Sequence, residues 1–102
     1  MNNSGNMQVS AIGMAWYREA DYERLLQIFV DADRLPKLYS RWEALAEKGY
    51  NERIGQGQIV VKAYIEPDSF VDWCAVNGCN VDAGGRMKYA SLVAAEFVRD
   101  NK

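Results

Sequence analysis

Between Gln8 and Tyr17 bulky and small side chains alternate, Ile12, Met14 and Trp16 against Ala11, Gly13 and Ala15. A two-residue period predicts a strand with one bulky face and one small face, the latter able to admit a closely packed helix. The period then lengthens. Tyr22, Leu25, Leu26, Phe29 and Val30 recur at helical spacing after Asp21, which suits an N-cap or first-turn position, and this helix is expected to end near Asp33. Pro36 is expected to open a second helix carrying Leu38, Trp42, Leu45 and Ala46, continuing through Gly49, Tyr50 and Ile54 to the Gly55-Gln56-Gly57 break.

Alternation returns from Gln58 to Glu66, with Ile59, Val61, Ala63 and Ile65 on the expected core face, and Pro67 stops the strand. Asp68 to Asn77 reads as a short helix bearing Phe70, Val71, Trp73 and Cys74, closed by Gly78. Asp82 caps a final helix to Val98 whose buried stripe is expected to hold Met87, Ala90, Val93, Ala94 and Phe97. The chain thus predicts an α+β fold, a small two-stranded sheet with about four helices in the order β-α-α-β-α-α. Residues 8–100 form one domain. The polar stretch before Met7 reads as a flexible lead, or as an extended translation start.

Two strands leave much edge unpaired, and helices can cover the faces of such a sheet but not satisfy both edges. A homodimer, whose interface can carry the sheet onward, answers that demand. Nothing in the pattern decides whether the strands run parallel or antiparallel.

Composition narrows the function classes. The chain has 102 residues, 49% of them hydrophobic and 25% charged, the balance of a folded domain. A net charge of −2 gives no global field to gather a polyanion, which argues against a nucleic-acid partner. The first apolar run is too short to cross a bilayer or resemble a secretory signal, so the expected location is the cytoplasm, with no membrane partner. There Cys74 and Cys79 are expected as thiols. Two cysteines without any histidine cannot complete a four-ligand zinc set, and neither metal nor cofactor is expected.

The string Ala15-Trp16-Tyr17-Arg18, then Leu35-Pro36, Tyr39, Trp42 and Ala46-Glu47-Lys48-Gly49, then Asp68, Phe70, Trp73-Cys74 and Gly78, resembles a group of short bacterial proteins of unknown function. The resemblance spans most of the chain after Met14. It implies a bacterial intracellular domain and assigns no activity and no site.

The absence of histidine removes every Ser-His, Cys-His and His-carboxylate arrangement, and with them the commonest general base near neutral pH. Asp31 and Asp33 stand two apart and would not share a helix face, so one of them is read as bonding the turn at Leu35. Glu43 and Glu47 do align but read as solvent-facing. Cys74 reads as core. Cys79, beyond Gly78, is the more exposed thiol, which Arg86 and the start of the last helix can in principle activate. The segment Asp82-Ala83-Gly84-Gly85-Arg86 lacks the spacing of a phosphate loop.

Cations and aromatics interleave in one place, where Arg34, Lys37 and Arg41 repeat beside Tyr39 and Trp42. This can be a solvated helix edge or a face that clamps an acidic partner or a nucleotide. Three function classes follow. The first is a non-catalytic binding or protein-interaction domain acting as a homodimer. The second is a domain binding a small anionic or aromatic ligand in a pocket lined by Trp16, Tyr17, Arg18, Arg34, Tyr39, Arg41 and Trp42. The third is an enzyme using carboxylate or thiol chemistry.

Overall fold

The computed structural model describes residues 10–101. The expected lead over residues 1–7 and the start of the first strand lie outside them. Strand β1 (Ile12–Trp16) is followed by α1 (Glu19–Ile28), a 3-10 turn (Ala32–Arg34), α2 (Tyr39–Gly55), β2 (Val60–Tyr64), α3 (Pro67–Asn77) and α4 (Ala83–Asp100). The order is the expected one, and the strands pair parallel, with Ile12 opposite Val60 and Trp16 opposite Tyr64. A parallel pair needs a long crossover, here supplied by α1 and α2.

The two faces of β1 go to different helices. Met14 and Trp16 point toward α2: the Met14 methyl lies 3.7 Å from where a Gly49 side chain would begin, and Trp16 packs edge-on against Trp42 and Tyr50. Gly49 therefore sits inside one long helix. The opposite face is small, and α4 lies directly on it. A Cβ built at Gly13 would stand 2.0 Å from the Ala90 carbonyl oxygen, so only glycine permits this approach of strand and helix backbone. Ala90 and Ala94 of α4 and Ala63 of β2 are buried in the same layer.

Between the crossover helices and α3 the core continues as packed aromatics. Trp16, Tyr17, Tyr22, Leu25, Phe29, Trp42, Ile65, Phe70 and Cys74 form one buried cluster. Complete burial of a side chain such as Leu25 or Phe70 stabilises the fold by roughly 1.5–3 kcal/mol. Pro67 occupies the first turn of α3, where its missing N–H costs nothing, and Glu66 accepts hydrogen bonds from the amides of Asp68 and Ser69. Gly78 ends α3 at a φ of 66°, and the Asp82 carboxylate caps α4 through the Gly85 amide.

Several expected boundaries and core positions differ. Helix α1 stops at Ile28, because Phe29 leaves helical geometry and the Val30 amide crosses to the Val81 carbonyl. Val30 consequently leaves the buried stripe and is 76% exposed. Pro36 does not open α2, which begins at Tyr39; its carbonyl instead accepts a hydrogen bond from the Tyr22 hydroxyl. The core side of α2 runs through Trp42, Ala46 and Tyr50, leaving Leu38, Leu45 and Ile54 exposed. In β2 the buried positions are Ala63 and, just past the strand, Ile65, while Ile59 lies exposed ahead of the strand. The buried arc of α4 is Gly85, Arg86, Ala90 and Ala94. Met87, about 100° around the helix from Arg86, is outside it.

Candidate functional site

The end of β1 and the first turns of α2 bring together Trp16, Tyr17, Tyr39 and Trp42. Ring centroids lie 4.5 Å apart for Tyr17 and Trp42, 5.3 Å for Trp16 and Trp42, and 5.5 Å for Tyr39 and Trp42. Trp16, Tyr17 and Trp42 are buried in this stack, and Tyr39 is half-buried. The Tyr39 hydroxyl stands 3.2 Å from the Tyr17 carbonyl oxygen and 3.4 Å from a Glu43 carboxylate oxygen, which compete for its one proton. Burial raises the pKa of Tyr39, with the Glu43 charge adding to the shift. Burial also pushes the Tyr17 hydroxyl up to about 12, the nearby Arg86 charge opposing the rise. Both phenols are therefore neutral at ordinary pH.

The arginines expected beside these rings disperse. Arg18 is exposed and lies over the Tyr64 ring, 4.4 Å from its centroid. Arg34 lies in a shallow polar depression with Asp31, Asp33 and Asp82. Arg41 lines a separate apolar hollow with Pro36, Lys37, Leu38, Ala44 and Leu45. The aromatic half of the expected pocket thus converges, while the cationic half divides among three surfaces.

The thiols and carboxylates resolve differently from the sequence reading. Cys74 is buried, its Sγ donates toward the Asn80 carbonyl at 3.6 Å, and burial raises its pKa. Cys79 is half-buried and 3.6 Å from the Asn77 carbonyl. Arg86 does not serve Cys79. Its guanidinium donates two hydrogen bonds of 2.9 Å to the two carboxylate oxygens of Asp31 and lies 4.4 Å from the Phe29 ring centroid. Asp31 accordingly bonds Arg86 rather than the turn at Leu35. The pair has no local signature in the sequence, although Arg86 shares the four-residue spacing of Ala90 and Ala94 that marks the buried arc. Lys62 is held similarly, its Nζ 4.2 Å from the Trp16 ring centroid, 4.7 Å from that of Tyr50 and 4.0 Å from Glu47.

One edge of the sheet offers a different kind of site. The Ile12 amide donates to the Ile59 carbonyl at 2.8 Å, and the Trp16 carbonyl accepts from the Ile65 amide at 2.9 Å. By strand alternation Ile12, Met14 and Trp16 direct their backbone groups to β2, while Gly13 and Ala15 direct theirs away from it. Among the described residues, no backbone bond of a turn or loop reaches Gly13 or Ala15. Alongside runs an open furrow of about 560 Å³, lined by Ala11 to Ala15 with Arg53 from α2 on one side and Met87 and Ser91 from α4 on the other. Met87 is 70% exposed here.

Compared with known proteins, the chain matches no family model, no curated protein and no solved structure. Among the described residues no helix is long and apolar enough to cross a membrane, and no three metal-ligating side chains gather.

Proposed function

We propose that the protein is a non-catalytic interaction domain of the cytoplasm that works as a homodimer, its sheet continued through the β1 edge of a second copy. The observation that carries this reading is the outward row of backbone groups at Gly13 and Ala15, flanked by the exposed Met87 on one side and Arg53 on the other. An edge with no charged side chain of its own and no bulge is a template for another strand. Two β1 edges related by a two-fold axis through Met14 run antiparallel and place Gly13 of one copy opposite Ala15 of the other. Each such pair exchanges both N–H···O bonds, and the result is a four-stranded sheet. The aromatic stack supports the same reading, because Trp16, Tyr17 and Trp42 fill one another's space in the core.

Light scattering on the full chain at micromolar concentration is expected to give twice the 11.6 kDa chain mass. Ala15→Pro removes one outward N–H, a change tolerated on an exposed edge, and should yield a folded monomer by circular dichroism and scattering. A monomeric natural chain, or a dimer indifferent to Ala15→Pro, overturns the reading.

A further inference from the structure

The outer flank of α2 carries apolar surface that the core does not use. Leu38, at the N-cap, and Leu45 are seven residues apart, close to two helical turns, and are 61% and 63% exposed. With Pro36 and Ala44 they line an open hollow of about 710 Å³, and the remaining lining residues are Lys37 and Arg41. Among the described residues neither cation enters an ion pair. The first turn of α2 has no acidic residue to offset them. The floor is thus apolar and the rim positive. Such an open trough covers too little of a small molecule, whereas an amphipathic segment can lay one face along it.

We propose that this hollow docks a short acidic amphipathic segment of a partner protein, with apolar side chains against Leu38 and Leu45 and carboxylates on Lys37 and Arg41. The argument is charge complementarity around an apolar floor. The planar fork of Arg41 suits a carboxylate, and Lys37 adds a second charge along the same trough. The hollow shares no lining residue with the furrow along β1, so each copy of a dimer presents its own docking site.

The test uses the full chain and a fluorescein-labelled helical peptide of about fourteen residues, with leucines along one face and glutamates flanking them. A counterpart carries lysine for every glutamate. The acidic peptide is expected to bind at least about tenfold more tightly than the basic one, and Arg41→Glu, which leaves the rim with one cation and one carboxylate, should abolish that preference. Added salt should weaken the acidic complex, and amide shifts in NMR should be confined to residues 37–45 and their neighbours. Equal binding of the two peptides, binding of neither, or shifts centred elsewhere overturns the proposal. So does a Leu45→Glu variant that becomes monomeric in light scattering while remaining folded, because the hollow would then belong to a second copy.

Discussion

The two faces of the sheet solve the same packing problem by opposite means. Toward α2 the space is filled by large rings, Trp16 against Trp42 and Tyr50, with Trp42 meeting four other rings at 4.5–6.0 Å. Toward α4 there is almost nothing to fill, because Gly13 lets the Ala90 carbonyl come to where its own Cβ would be. The aromatic side gains its stability from buried area, and the glycine side gains its own from backbone proximity. The first fails by losing volume, and the second by gaining it.

The largest expected effect tests the aromatic side. Trp42→Ala removes the ring shared by Trp16, Tyr17, Tyr22 and Tyr39 and should cost about 3–5 kcal/mol in urea unfolding. A loss below about 1 kcal/mol would mean that the stack is not a cohesive core.

The Arg86–Asp31 pair joins the sides, since Arg86 belongs to the buried arc of α4 while its guanidinium lies on Phe29 of the aromatic cluster. Removing one member of such a pair strands the other charge, so Arg86→Met should cost about 3 kcal/mol. The Arg86 hydrogen bonds hold the Asp31 carboxylate below its ordinary value of 3.8, outweighing the opposing effect of desolvation. A carboxylate depressed in the folded state contributes stability that is complete above its unfolded pKa and is lost as pH falls through the folded one. Unfolding free energy should therefore decline below about pH 4, and less steeply in Arg86→Met than in the natural chain.

On the glycine side, Gly13→Ala forces a methyl against a helix backbone and should cost about 1–3 kcal/mol. Adding Ala90→Gly should not restore the loss, because the obstacle is the backbone of residue 90 rather than its side chain. Rescue by the double substitution would show that the Ala90 side chain, not the helix backbone, sets the approach. The smallest effect returns to the aromatic side, where Lys62→Met should cost about 1 kcal/mol by removing a cation from the Trp16 and Tyr50 rings.

Much of this contrast is legible in the sequence. The small face of β1, the caps at Gly78 and Asp82, and the continuity of α2 through Gly49 all follow from period and residue type. Strand direction does not, because alternation sets which side chains share a face and is silent on what lies beside the strand. Met87, Leu45 and Val30 were expected inside and are exposed. Periodicity locates an apolar stripe but not its width, and Leu45 falls on the flank of a stripe centred on Trp42, Ala46 and Tyr50. The Arg86 pairing is not legible locally because its partner, Asp31, is 55 residues away. The aromatic members of the candidate site were foreseen as a group. The apolar hollow was not, because it depends on leucines that the sequence counted as core.

The parallel pairing of β1 and β2 also bears on how the chain acquires its shape. Ile12 and Val60 stand forty-eight positions apart, and every rung of the ladder spans the same separation. No hairpin can start such a sheet, and the entropy of closing a long loop must be met before its first hydrogen bond forms. The helices between the strands contain the local contacts. Their docking has to bring the strands into register, which makes the smallest layer of the molecule the one most dependent on the rest having already assembled.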